Sequence, residues 1–195
     1  MNNKIGVAIE DVAGLFQLGT CHPNDFYLDP SAYVRINNSI TNPDYGAFYD
    51  TTDQALVSTA ASQVITINST SISSVINLSA GSRINFPNAG IFNIQFSLQL
   101  TNNDTQIRDA VVWFRKNGID IPNSASIVSV PNKHGGIKGH FILALNLVEQ
   151  FSAGDYVELY WTGDDTDLSI ETLPAGVAPV YPQVPSVIIT ATKVS

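Results

Sequence analysis

The sequence predicts an all-β chain folded as an antiparallel two-sheet sandwich, and three observations predict it. Apolar and polar residues alternate through Ile91–Leu100, placing Phe92, Ile94, Phe96, Leu98 and Leu100 on one face of a strand. Short apolar stretches are separated by turn-forming pairs such as Asn117-Gly118 and Gly154-Asp155. From residue 45 onward no segment has the length and stripe of an amphipathic helix.

The first 44 residues read differently. Pro23, Pro30 and Pro43 interrupt any long regular element, and Asp25 to Pro30 and Ile40 to Asp44 are rich in turn formers. Ile5, Val7 and Ile9 alternate as a strand does, and Asp11 to Phe16 suits a helical turn. This stretch is too short for a core of its own. Its apolar residues therefore point to an extended arm that packs on a neighbour, the alternative being extra strands folded onto their own domain. The expected division is an arm over 1–44 and a sandwich over 45–195.

Strands are expected in order at Ala47–Tyr49, Ala55–Val57, Val64–Ile67, Ser71–Leu78, Arg83–Phe86, Ile91–Leu100, Arg108–Lys116, Ala125–Val130, Lys138–Val148, Tyr156–Thr162, Leu168–Leu173 and Ser186–Thr192. Leu143 to Gln150 is the one ambiguous run, assigned to a strand because its neighbours are strands. Asn117-Gly118 fits the paired positive-φ positions of a tight hairpin, and Gly90 and Gly154 are each expected to take positive φ before a strand. Asp155 is placed to accept backbone N–H groups in its turn. Pro174 to Pro185 reads as an irregular connection to the last strand.

Composition limits function. Apolar residues make up 44% of the 195, enough for a core, whereas charged residues make up only 13%. The surface is therefore covered mainly by Asn, Ser, Thr, Gln and Gly, which suits packing against copies of itself. A net charge of -8 argues against a phosphate backbone as partner, and Lys133, His134, Lys138 and His140 among glycines read as a loop. No run has the length of a membrane span, and the N-terminus lacks the pattern of a secretory signal, so synthesis in a cytoplasm is expected. Cys21 is the only cysteine, which excludes an intrachain disulfide.

Three segments carry a family resemblance: Gly90-Ile91-Phe92-Asn93-Ile94-Gln95-Phe96, Val111-Val112-Trp113-Phe114-Arg115-Lys116-Asn117-Gly118, and Phe151-Ser152-Ala153-Gly154-Asp155-Tyr156-Val157-Glu158-Leu159. In order and spacing they resemble the trimeric jelly-roll domains of the C1q and tumour-necrosis-factor superfamily, with Gly46 to Asp50 similar to the family's first strand. The resemblance spans Tyr45 to Thr192. The arm, the Asn/Thr-rich surface and the lone cysteine, without a collagen-like stalk, look like versions found in tailed-phage virions. The resemblance implies a homotrimeric, non-enzymatic virion protein, a capsid decoration or head fibre on the outer capsid. Its arm would hold the major capsid protein or another virion protein. It implies Phe92, Trp113, Tyr156 and Tyr160 as trimer-interface candidates. Arm candidates are Ile5, Val7 and Ile9, which suit strand addition, and Phe26, Tyr27 and Leu28, which suit a surface pocket.

Other chemistry has thin support. Asp164, Asp165 and Asp167 form the densest acidic stretch and are candidate Ca²⁺ ligands, although solvated turn aspartates look the same in sequence. His22, His134 and His140 are too few and scattered for zinc, and Cys21 beside His22 has no third group to orient it. No cofactor motif occurs. A tail-fibre tip that binds a host receptor or surface glycan is the alternative function, since the two tryptophans and seven tyrosines include candidates for a sugar platform. A polysaccharide hydrolase would need two carboxylates converging from distant strands.

Overall fold

A computed structural model describes residues 44–195 throughout and, before them, the backbone of two strands. The chain divides into one unit over 1–42 and another over 43–195. In the first, β1 (Gly6–Glu10) pairs antiparallel with β2 (Phe16–Thr20), Gly6 opposite Thr20 and Glu10 opposite Phe16. Val7 and Ile9 fall in β1 and Phe16 opens β2. Ile5, Phe26, Tyr27 and Leu28 lie outside the described residues, as do 11–15, most of the expected helical turn.

The second unit is all-β. Its strands are β3 (Tyr45–Asp50), β4 (Gln54–Ala55), β5 (Gln63–Val64), β6 (Ser69–Ser74), β7 (Asn77–Ser79), β8 (Arg83–Phe86), β9 (Gly90–Asn102) and β10 (Arg108–Lys116). There follow β11 (Ile119–Asp120), β12 (Ser126–Val130), β13 (Gly139–Phe151), β14 (Asp155–Gly163), β15 (Leu168–Ile170), β16 (Gly176–Val177), β17 (Val180–Tyr181) and β18 (Val187–Lys193). One sheet runs β13–β9–β18–β3–β6, with β15 beside the far end of β9 and β4 beyond it. The other runs β12–β10–β14–β8–β7, with β5 added to β14 and β11 to β10. The long run Gly139–Phe151, ambiguous in sequence, is a strand paired with β9 along its whole length, Gly139 opposite Asn102 and Phe151 opposite Gly90.

Alternation in the strands builds the core. Phe92, Ile94, Phe96, Leu98 and Leu100 of β9 point inward and are buried with Phe48, Val187 and Ile189. The facing sheet contributes Ile84, Phe86, Val112, Phe114, Val157, Leu159 and Trp161. Aromatic contacts cross between the sheets: Phe96 meets Phe114 edge-on at 5.3 Å, and Phe86 lies 4.5 Å from Phe92 and 4.0 Å from Phe151. Burial of each such ring stabilises the fold by about 1.5–3 kcal/mol, and off-centre or edge-on packing adds to that.

Turns fix the register. Asn117 and Gly118 take φ of 53° and 80°, the tight hairpin that joins β10 to β11. The Asn117 side chain also donates to Asp155 Oδ1 (2.7 Å) and accepts from the Tyr156 N–H (3.0 Å), tying that hairpin to the β13–β14 turn. Asp155 Oδ2 accepts the Ser152 N–H at 2.7 Å, as its place beside Gly154 suggests. Gly154 has φ 88°, but Gly90 does not adopt the expected positive φ. Gly90 is small for a different reason: a Cβ there would lie 2.5 Å from Lys193 Cε and 2.6 Å from the Ser195 carbonyl.

Several strand bounds differ from the sequence reading: Ala55–Val57 and Leu168–Leu173 shrink to Gln54–Ala55 and Leu168–Ile170, and Lys138–Val148 extends to Gly139–Phe151. Three further differences change the path of the chain. The expected strand Ser71–Leu78 is two, because Val75 at φ 70° turns the chain from β6 in one sheet to β7 in the other. Only Val64 of Val64–Ile67 is in a strand, yet Ile65 and Ile67 are fully buried and their N–H groups bond Leu159 O and Gly81 O. The irregular connection before the last strand contains an ordered hairpin, β16–β17, closed by reciprocal 2.9 Å bonds between Leu173 and Val184.

Candidate functional site

The two outer faces of the sandwich differ in chemistry. On the β13–β9–β18–β3 sheet, the outward positions are Tyr45, Ala47 and Tyr49 of β3, Ile188, Thr190 and Thr192 of β18, and the alternate residues from Ile91 to Thr101 and from His140 to Gln150. None is Asp, Glu, Lys or Arg. Gln95, Ser97, Ala144, Asn146, Ile188 and Thr190 line a shallow depression in the middle of this face. Ile142 and Val148 are 61% and 58% exposed there, so apolar surface lies open to water in a single chain.

The outer face of the second sheet is charged and aromatic. Trp113 and Tyr160 are cross-strand partners with ring centroids 6.1 Å apart. The Arg115 guanidinium lies 4.0 Å from the Tyr160 ring centre, and that of Arg83 lies 4.3 Å from Tyr156. Asp120 accepts from Trp113 Nε1 at 2.6 Å and from Arg115, which fixes the indole and the guanidinium together. Those donors, Arg115 first, hold the Asp120 carboxyl below the usual range. Glu158 accepts from Ser82 Oγ at 2.6 Å and faces Arg83 at 3.5 Å. Trp113, Tyr156 and Tyr160 therefore share one half-exposed face. Phe92 is separated from them, fully buried in the core between the sheets, and is unavailable to another chain.

At one end of the sandwich, the β9–β10 and β14–β15 loops gather carboxylates. Asp104, Asp165 and Asp167 can bring one oxygen each within 4.8 Å of one another. Asp164 stands apart from that trio, its Oδ1 accepting the Asp109 N–H at 3.0 Å. Arg108 supplies the positive charge at the cluster, bonding Asp104 Oδ2 through Nε at 2.5 Å and approaching Asp165 Oδ2 at 3.0 Å. Its hydrogen bond is the main cause that lowers the Asp104 pKa. The guanidinium thus neutralises part of the negative charge that Asp104 and Asp165 bring together. Sequence spacing groups Asp165 and Asp167, whereas Asp104 and Asp109 could offer a second loop that nothing in the sequence aligns with them, and Arg108 carries no local signal. The β9–β10 loop and β10 bring Asp104 and Arg108 from about sixty residues away.

The remaining polar candidates are dispersed. His140 lies on the uncharged sheet face, whereas His134 sits in a turn bridged to Ile137. Lys133 donates to Asn103 Oδ1, and Lys138 pairs with Glu171, so the basic loop residues point to separate partners. Cys21 and His22 lie outside the described residues. Among the described residues no helix is long and apolar enough to cross a membrane. No protein-family model matches the chain, and no curated protein matches it significantly.

Proposed function

We propose that this sandwich is a jelly roll of the C1q/tumour-necrosis-factor kind, and that the chain is a homotrimeric, non-enzymatic structural protein of a virus particle. In this reading it is a capsid decoration or head fibre on the outer surface, with residues 1–44 attaching it to the capsid protein or another virion protein. The strand pairing supports the jelly roll. Taking the eight principal strands in chain order, the first pairs with the last (β3–β18), the second with the seventh (β8–β14), the third with the sixth (β9–β13) and the fourth with the fifth (β10–β12). Nested pairs of this kind are a long hairpin rolled into two sheets.

The observation that carries self-association is the uncharged outer face of β13–β9–β18–β3. Copies with a net charge of -8 repel one another, and the least costly place for them to meet is a face with no charge to desolvate. Trimer formation there would cover Ile142, Ile188 and Val148. The virion assignment rests on the sequence resemblance and on this self-assembling character. Light scattering on the full chain tests the oligomer, with Ala144→Arg as the probe because Ala144 lines the centre of the face. The wild-type protein should have the mass of three chains and the variant that of one. Immunogold labelling of purified particles tests location, and a protein absent from particles would defeat the virion reading.

The half-exposed Trp113–Tyr160 pair favours the tail-fibre tip as a second reading. The indole is held by Asp120, so a sugar ring could pack on it beside fixed polar groups. Binding to isolated host-surface glycans that disappears in Trp113→Ala would move the assignment there.

A further inference from the structure

We infer that the β16–β17 hairpin is an inter-chain clasp that reaches from the uncharged sheet face onto a second copy of this chain. The inference rests on the self-association proposed above and adds a separate contact to it. Val177 and Val180 are 91% and 86% exposed, the highest values among the exposed large hydrophobic residues described, and Tyr181 beside them is 47% exposed. This is apolar surface held in a defined shape. Val177 opposes Val180, Gly176 opposes Tyr181, and the Leu173–Val184 bridge closes the base. Thr172 Oγ1 donates to Val184 O at 2.8 Å, and the Thr172 N–H bonds Asp53 Oδ1 at 2.9 Å, anchoring the base to the sandwich. Gly176 lets the Tyr181 ring pack close, since a Cβ there would fall 2.1 Å from that ring and push it aside. Pro174, Pro179, Pro182 and Pro185 restrict the unbound chain further, so docking would cost little ordering entropy.

Charge and continuity select the occupant. No Asp, Glu, Lys or Arg occurs from Thr172 to Thr192, a run that forms the hairpin and then β18 in the uncharged face. The base of the hairpin meets that face at Gln99, whose N–H bonds Ser186 O and whose carbonyl accepts the Glu171 N–H. Gln99 in turn opposes Ile142 on β13, so the exposed Ile142 and the hairpin share one end of the sheet. The carboxylates at its base are Glu171, which is paired with Lys138, and Asp53, which accepts the Thr172 N–H, so a second acidic copy meets little unpaired like charge along this path. In a cyclic assembly each chain offers one patch and receives another. The projecting hairpin is suited to be the offered patch, and the apolar end of the neighbour's sheet the received one.

The test compares the full-length wild type, the double variant V177D/V180D and Ala144→Arg by sedimentation equilibrium over a wide concentration range. Both valines are almost wholly solvated, so the double variant should keep the wild-type circular dichroism spectrum and unfolding midpoint of the single chain. The inference expects a self-dissociation constant raised at least tenfold by V177D/V180D, together with loss of hydrogen-exchange protection over 174–182. If the wild type and V177D/V180D assemble equally well while Ala144→Arg dissociates, the sheet face is the interface and the clasp is wrong. A wild type that stays monomeric overturns the underlying self-association as well. Undiminished assembly with loss of binding to particles would assign the hairpin to a different protein, and that too overturns the clasp.

Discussion

Phe86 shows how much a single residue decides here. It comes from β8, a strand of only four residues, yet it touches Phe92 of β9 and stacks on Phe151 at the end of β13. Those three rings close one end of the sandwich, with none of them more than 1% exposed. Truncation at Phe86 would leave a cavity that two long strands cannot collapse to fill. Phe86→Ala should lower unfolding free energy by about 3–5 kcal/mol, measured by urea denaturation with unchanged slope. A loss below about 1 kcal/mol would mean that the end of the sandwich repacks. Trp113 is the contrasting case. Its ring lies on an outer face, so its removal should touch binding before it touches folding.

At the scale of elements, the β9–β10 and β14–β15 loops are joined through Arg108. Asp104 and Asp165 both face its guanidinium, and the Asp104 pKa is lowered chiefly by that hydrogen bond. A carboxyl whose folded pKa lies below its unfolded value, about 3.9, contributes stability above that value. The contribution is lost as pH falls through the folded pKa. Arg108→Gln should therefore lower the thermal midpoint at neutral pH, and the gap from wild type should shrink below about pH 4 and close in stronger acid. Added Ca²⁺ should raise the midpoint of the variant more than that of wild type, because Asp104 and Asp165 then lack their cation beside Asp167. A gap that does not change with pH would show that Arg108 acts through packing alone.

The same scale separates what the sequence could show from what it could not. The alternation of β9 and the Asn117-Gly118 turn were readable because each is a local pattern with one physical solution. Alternation gives parity but not layer, so it could not tell that Phe92 faces the core while Trp113, Tyr156 and Tyr160 face outward on the other sheet. The break at Val75 was hidden because a β-branched residue seldom takes positive φ, and only pairing in two different sheets enforces it. Pro174 to Pro185 looked irregular because prolines suppress the strand signal, although two short strands survive between them. Asp104 joins Asp165 and Asp167 only through the fold, beyond the reach of local spacing.

For the whole molecule, the question is whether residues 1–42 hold the sandwich together or attach it to something else. Every residue of the described hydrophobic core comes from Phe48 to Ala191. The first strand of the sandwich is tied in by residues of its own unit: the Asp44 carbonyl accepts the Lys193 N–H at 2.8 Å, and Asp44 Oδ2 accepts from Asn88 at 3.1 Å. Each principal strand also finds its pairing partners within 43–195. Deletion of 1–42 should consequently leave the β-type circular dichroism spectrum and the oligomeric mass per chain count unchanged, while rebinding to stripped particles is lost. The two readouts separate the roles, since a tether affects only the second. A truncated protein that unfolds, or that falls to monomers, would place those residues in the sandwich or at its interface and remove the case for a tether.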